Sequence, residues 1–168
     1  MTLFDLIMNT SAGILLYRFK RRDKEKILEI FLVHNGGPFF KNKDEGYWSI
    51  PKGELEENET EEDLLHRARI EIEEETGIRV PKEKNKYMSL GIIKQKNNKI
   101  VHAFTLQHNW QGLLRQNFID IEYPKGNKIK IPEVDKAEYF SEKIARKKIN
   151  SAQIIFIDRL IEKIGIKE

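Results

Sequence analysis

The stretch Gly46–Ile78, GYWSIPKGELEENETEEDLLHRARIEIEEETGI, begins like the end of a strand and then carries ten glutamates before it closes on Gly77 and Ile78. A charge run of this density is ordinarily a solvated helix face. Spacing argues otherwise. Thr60 with Asp63 three residues on has the form of a capping box, and Gly77 supplies a left-handed stop, so the sequence predicts a helix from about Glu61 to about Thr76. Turning it through roughly 100° per residue with Glu71 at zero puts Leu64, Ala68, Ile72 and Leu65 between about 20° and 120°, a stripe wide enough to lie on a core. Glu75 falls at about 40°, inside that stripe, while Glu71 and Glu74 flank it at about 0° and −60°. Three carboxylates on one edge of a buried face raise one another's pKa unless a cation compensates. Hard oxygen donors of this kind suit Mg²⁺ or Mn²⁺, which complete their shells with water and substrate phosphate. The remaining glutamates, Glu59 and Glu73 among them, read mostly as solvated loop and helix surface.

From Gly53 onward the segment resembles the Nudix box: a Gly, five residues, a Glu, seven residues, then Arg-Glu-hydrophobic-x-Glu-Glu-x-Gly-hydrophobic. Gly53 and Glu59 match its opening, and Glu71, Ile72, Glu74, Glu75, Gly77 and Ile78 match its close. Two departures stand out. Ten residues, Thr60 to Arg69, separate Glu59 from Ile70, three more than the family has. The expectation places the extra residues around Thr60 to Glu62, so that Glu62 stands in for Glu59. Ile70 occupies the place of the family's arginine, which orients the neighbouring carboxylates. Arg67, at about −40° on the wheel, lies between Glu71 and Glu74 and either takes over that role or makes an ordinary surface ion pair.

At 168 residues, the chain is expected to form a single domain over residues 1–168 that buries a core without staples. It has no cysteine, which excludes disulfides, thiolate metal sites and a cysteine nucleophile, and suggests the cytoplasm. The N-terminal MTLFDLIMNTSAG fits neither a signal peptide nor a membrane span, and is expected to add a turn or strand. Residues 53 to 78 hold eleven acidic and two basic side chains, a charge of −9; with a net charge of +3, the rest of the chain carries +12. A basic body around an acidic, metal-seeking edge suits a small polyphosphate, and no extended nucleic acid is expected as partner.

SAGILLYRFK and KILEIFLVHN, separated by RRDKE, read as a hairpin. GGPFFKNKDEG is a loop, YWSIP a short strand ended by Pro51, and YMSLGIIKQK with KIVHAFTLQHNW a second hairpin turning at Asn97 and Asn98. AEYFS reads as a last strand. EKIARKKI and SAQIIFIDRLIEKIG read as C-terminal helices with Ile154, Ile155, Ile157, Ile161 and Ile164 as the apolar face. This order makes an α+β fold, which the resemblance sharpens to a Nudix-like α/β/α sandwich with a mixed sheet. SAGILLYRF, HNGGPFF, WSIPKGE, VHAF, PEVDKAEYFS and FIDRL extend the likeness to a bacterial and archaeal branch of NTP pyrophosphohydrolases.

The resemblance implies metal-dependent hydrolysis of a nucleoside diphosphate linked to a further group, with Glu71, Glu74 and Glu75 binding Mg²⁺ or Mn²⁺ and one of them, or a glutamate outside the box, acting as general base. The Lys52 or Gly53 carbonyl is a further expected ligand, since glycine lets main chain approach closely. Lys52 is read as a phosphate contact or a solvated lysine. For the acid outside the helix, FIDIEYP puts Asp120 and Glu122 on one strand face; Glu122 is the first candidate and Asp120 the second. Phe39, Phe40 and Tyr123 are candidates for stacking on a base, and Trp48 reads more as core. The four histidines show no ligand spacing. The expected substrate is a nucleoside di- or triphosphate or a dinucleoside polyphosphate, for a monomer or homodimer. The competing readings are a hydrolase of another conjugate such as a nucleotide sugar, and a Nudix-fold binding module without catalysis.

Overall fold

The computed structural model describes residue 2 and residues 9–166; the turn or strand expected at the N-terminus falls largely outside them. Strands β1 (Thr10–Arg22) and β2 (Glu25–Asn35) form the first expected hairpin, with Tyr17 opposite Ile30 and Arg22 opposite Glu25. The chain then pairs briefly with β2 as β3 (Trp48–Ser49), interrupts at Ile50 and Pro51, and resumes as β4 (Lys52–Glu54) against β1. Pro51 therefore separates two short strands instead of ending one. It lacks the N–H that a ladder would need.

The capping box forms as expected: Thr60 accepts from the backbone and Asp63 reaches back to the Thr60 N–H at 2.8 Å. A 3-10 turn at Glu61–Asp63 leads into helix α1 (Leu64–Thr76), and Gly77 ends it at φ 80°. The second hairpin, β5 (Met88–Lys94) and β6 (Ile100–Gln107), turns through left-handed Asn97 and Asn98. The strand read at FIDIEYP follows, with a partner the sequence did not mark. FIDIE is β7 (Phe118–Glu122), and it pairs only with KIKIP, β8 (Lys128–Pro132), in a separate two-stranded sheet. β9 (Val134–Ser141) then returns to β2, and α2 (Glu142–Lys148) and α3 (Ile154–Ile164) close the described chain.

The large sheet runs β3-β2-β1-β6-β5, with β4 also on β1 and β9 also on β2. β1 and β6 are parallel; β1 is antiparallel to β2 and β4, so the sheet is mixed. Alternation along β1 divides the core. Ala12, Ile14 and Leu16 pack in one apolar layer with Leu64, Ala68 and Ile72 of α1, while Leu15 and Tyr17 pack in the other with Phe156, Ile157 and Leu160 of α3. The sandwich is thus α/β/α. On α3 the buried face differs from the expected isoleucine face: Phe156 and Leu160 belong to it and Ile155 is exposed, because the residues one turn from Phe156 and Ile157 share their face. Trp48 is buried core, ring against Phe140. Among the described residues no helix is long and apolar enough to cross a membrane.

One close approach holds the site-bearing strand in place. A Cβ on Gly13 would lie 2.6 Å from the Pro51 carbonyl oxygen and 2.8 Å from the Lys52 Cβ, and the Ile14 N–H donates to that same carbonyl at 3.1 Å. Gly13→Val is therefore expected to lower unfolding free energy by about 2–3 kcal/mol in urea melts, the cost of overpacking against backbone that cannot yield. A loss below about 0.5 kcal/mol, typical of an unconstrained surface site, would contradict this packing.

Candidate active site

Glycine at 53 is what lets α1 come close to β4. A Cβ there would sit 2.0 Å from the Glu71 carboxyl carbon, so the Glu71 carboxylate occupies the space a side chain would need. Glu75, one turn on, is buried and accepts a hydrogen bond from the Lys52 backbone. Consecutive turns of one helix face thus present two carboxylates to the backbone of two consecutive strand residues.

Electrostatics make the arrangement costly. Burial, the Glu74 charge and the Glu133 charge push the Glu71 carboxyl above its ordinary pKa against the pull of Arg67. Burial acts most strongly on Glu75, and Glu133 and Glu71 add to it; the Lys52 charge and backbone bond offset only part, so Glu75 lies well above the usual carboxylate range. Burial in turn lowers Lys52, opposed by Glu75, Glu54 and Glu71.

Arg67 is buried along α1 and gathers three carboxylates: Nε donates to Glu59 at 2.7 Å, and its terminal nitrogens stand 3.3 Å from Glu71 and from Glu56. Burial works against the guanidinium's charge, but the Glu59 bond and the charges of Glu59 and Glu56 outweigh it and raise its pKa. Of the two carboxylates expected to flank Arg67, the structure brings Glu71 to it; Glu74 is exposed. Glu59, read from sequence as solvated, is its closest partner.

Beside this edge lies a cavity of about 330 Å³. Lys52, Glu75 and Glu133 reach it, as do Phe39 and Phe40, and β7 and β8 wall it with Ile119, Ile121 and Ile131. Tyr123 does not line it; its ring braces the exposed Phe39 edge to face at 5.3 Å. Asp120 and Glu122 do share a strand face as expected, but that face points away from the cavity. Asp120 is exposed and pairs with Lys130 at 3.3 Å, and Glu122 accepts from the Gly126 N–H at the hairpin turn. The reason is the strand's period of two: the isoleucines claim the inner face. The carboxylate from outside the helix that the fold brings to the site is Glu133, which follows Pro132 at the end of β8. It is held by Asn117 at 3.0 Å, with its carbonyl bonded to the Gly36 N–H. No spacing in the sequence marks it, since only the pairing of β2 with β9 brings it opposite Gly36.

Among the described residues no three His, Cys, Asp or Glu side chains already converge as a metal cluster. The donors still fit a hard divalent ion. Glu71, Glu75 and the Gly53 carbonyl offer the oxygen donors such an ion takes, and burial first, then neighbouring carboxylates, hold both carboxyls above their ordinary pKa despite Lys52 and Arg67.

The NUDIX domain family model matches residues 8–160. The chain belongs to the Nudix family. It shares the fold of a mutT/nudix family protein from Listeria innocua (17% identity, TM-score 0.60, 94% of each chain covered). A C. elegans Ap4A hydrolase binary complex (16% identity, TM-score 0.62, 93% of this chain and 97% of that one) has it too. So does the NUDIX domain of Shewanella oneidensis NrtR complexed with ADP ribose (16% identity, TM-score 0.61, 98% and 99%). No curated protein matches the chain in sequence.

Set against the Nudix box, the geometry revises the register read from sequence. Seven residues separate Glu59 from Arg67, the family's own interval before its arginine, and the two are paired. The three extra residues are then 68 to 70, inside α1, and not around Thr60 to Glu62. Three residues turn a helix by about 300°, so Glu71 arrives four residues after Arg67, on the same face. Ile70 has no part in the site's ion pairs.

Arg67, read from sequence either as orienting the carboxylates or as an ordinary surface ion pair, is buried, so its loss carries a cost in stability. Arg67→Ala strands Glu59 and Glu71 without their partner and is expected to cost about 1–3 kcal/mol, a fall in Tm of about 2–10 °C. Glu59→Gln in the same background should recover part of the loss. Additive effects of the two changes in thermal melts would show that the pair is not coupled.

Proposed function

We propose that this Nudix hydrolase cleaves a phosphoanhydride bond in a nucleoside di- or triphosphate or a related nucleotide derivative, with Mg²⁺ or Mn²⁺, as a single cytoplasmic domain spanning residues 1–168. The observation that carries the reading is the pair of buried helix carboxylates, Glu71 and Glu75, pressed against the Lys52–Gly53 backbone at the edge of an open cavity. Burying two such groups with too few cations costs stability, and a divalent ion with bound phosphate recovers it. The printed descriptions of two fold neighbours, an Ap4A hydrolase and a domain complexed with ADP ribose, are in keeping with a small nucleotide.

A divalent ion held by Glu71, Glu75 and the Gly53 carbonyl, with Glu74 at its exposed side, would neutralise charge on phosphate oxygens and acidify water. This chain's residues supply the rest. Arg67 fixes Glu71 in place, and Lys52 offers an ammonium to the phosphate chain where the cavity meets the carboxylates. Glu133 takes the position given in sequence to Glu122 or Asp120, as the carboxylate outside the helix that receives the proton of the attacking water. The water oxygen bonds to one phosphorus, the bridging P–O bond breaks, and the departing phosphate keeps that oxygen and gains a proton. Phe39 and Phe40 present rings to a base, Phe39 braced by Tyr123. The reading as an inactive binding module rested on Ile70 in the arginine's place and on the extra residues. Arg67 at the family's interval from Glu59 removes that ground.

With Mg²⁺ present, the protein is expected to hydrolyse at least one member of a panel of ATP, GTP, ADP-ribose and diadenosine tetraphosphate. Glu75→Gln should abolish most turnover and remove the Mg²⁺-induced rise in Tm. It should also raise the Tm of the metal-free protein by about 2–4 °C, equivalent to about 1 kcal/mol, because a buried charge is gone. Full activity of Glu75→Gln, or a Mg²⁺ response equal to that of the parent, would remove Glu75 from the site.

A further inference from the structure

His34, near the end of β2, is buried, and both of its ring nitrogens are engaged. Nδ1 lies 2.7 Å from the Asp135 carboxylate, and Nε2 lies 2.7 Å from the main-chain carbonyl oxygen of Lys43. A carboxylate and a carbonyl offer lone pairs and no proton, so each bond takes its proton from the ring, whereas a neutral imidazole has one to give. The two bonds stand together only when the ring carries both protons. Asp135 arrives through an irregularity in the sheet. Across β2 and β9, His34 faces Lys136 and Asn35 faces Val134, so the register passes over Asp135. A bulge of this kind re-aims a side chain, here toward the ring.

Lys43 belongs to the loop 36–47 between β2 and β3, which brings Phe39 and Phe40 to the cavity beside Glu75. Its N–H donates to the Phe40 carbonyl at 2.9 Å, so a hold on the Lys43 carbonyl is one peptide unit from a hold on Phe40. The charged groups near the ring are otherwise occupied or exposed. On the loop, the Lys43 ammonium stands 5.5 Å from the centre of the Tyr47 ring, and the Asp44 carboxylate accepts from Lys148 of α2 and from the Trp48 indole N–H. The Lys148 bond, and then the Trp48 bond, hold Asp44 below its ordinary pKa. On β3 the neighbour is the Trp48 ring, 5.3 Å from the imidazole, and on β9 Lys136 and Glu138 are exposed, as is Lys147 of α2. Among the described residues Asp135 is the one carboxylate bonded to the ring.

We infer that His34 is a positioning residue whose imidazolium latches the loop 36–47 to β2 and β9, and that loss of one ring proton opens the latch and loosens the Phe39–Phe40 wall. The carboxylate is the stronger acceptor, so the proton that remains stays on Nδ1. Nε2 and the Lys43 carbonyl then face each other with lone pairs, and the loop moves off. The bound proton closes the latch, so it is closed at low pH and opens as pH rises. The consequence for substrate rests on the hydrolase reading above; the latch itself does not.

The test begins with the ring itself, in nuclear magnetic resonance spectra of the full chain. Both nitrogens of His34 are expected to be protonated at about pH 6 and only Nδ1 at about pH 9, with the backbone amides of residues 36–47 shifting along the same titration. Asp135→Asn, which removes the stronger acceptor, should move that titration to lower pH. A ring with one proton at the lower pH, a ring that keeps both at the higher, or loop amides that do not follow it would overturn the proposal. In steady-state hydrolysis with Mg²⁺, KM for the nucleotide turned over should rise about threefold or more across this range while kcat in His34→Gln stays near the parent's, and the rise should be absent from His34→Gln, whose amide does not titrate. A KM profile that His34→Gln leaves unchanged would overturn the proposal with hydrolysis intact. If no nucleotide is hydrolysed, the hydrolase reading fails, and the ring and loop spectra alone decide this one.

Discussion

Everything at the candidate site depends on the approach of α1 to the backbone at Gly53. Because residue 53 has no Cβ, the Glu71 carboxylate can stand where a side chain would be, and Glu75 one turn later can take the Lys52 N–H. The fold supplies this contact from both sides. Gly13 brings β1 against Pro51 and Lys52, while Leu64, Ala68 and Ile72 press α1 onto the same strand's apolar face. The electrostatic strain is then fixed by packing: burial keeps the two carboxylates close, and their raised pKa values are the consequence. Arg67 relieves the strain on one side through Glu59 and Glu71, and leaves the side facing the cavity short of positive charge.

The helix was legible because the signals were local. Capping at Thr60, the stop at Gly77 and the stripe through Leu64, Ala68 and Ile72 lie within one periodic segment, and the angular position of Glu75 correctly anticipated its burial. The strands of both hairpins were legible for the same reason. The interval to the arginine was not, since a box read backwards from Gly77 places Ile70 at its position, and only the pairing of Arg67 with Glu59 shows that the extra residues lie within the helix. Partners that depend on tertiary register were equally out of reach. Glu133 becomes a neighbour of Glu75 through the pairing of β2 with β9, and no motif precedes it. Glu122 had the right residue type and the right strand but the wrong face, because the strand-like alternation of FIDIE does not say which of its two faces looks inward.

The β7–β8 hairpin illustrates how a common sheet acquires a particular cleft. It belongs to neither face of the large sheet, pairs only with itself, and turns a row of isoleucines toward Lys52 while keeping Asp120, Glu122 and Lys130 in solvent. Its inner face makes one wall of the cavity beside Glu75 apolar. The apolar wall thus lies outside α1, while the buried carboxylates lie on it. The Glu71 carboxylate has its contacts with β4 and Arg67, apart from the hairpin.

Glu71, Glu75 and the Gly53 carbonyl are proposed to form one divalent-ion site. Its most direct measurement is an anomalous difference map from a crystal of the protein soaked in Mn²⁺. A peak is expected between these three groups, within about 2.0–2.5 Å of their oxygens, and it should be lost in Glu75→Gln. A Mn²⁺ peak held by other residues, with Glu71 and Glu75 making no contact to it, would rule this site out.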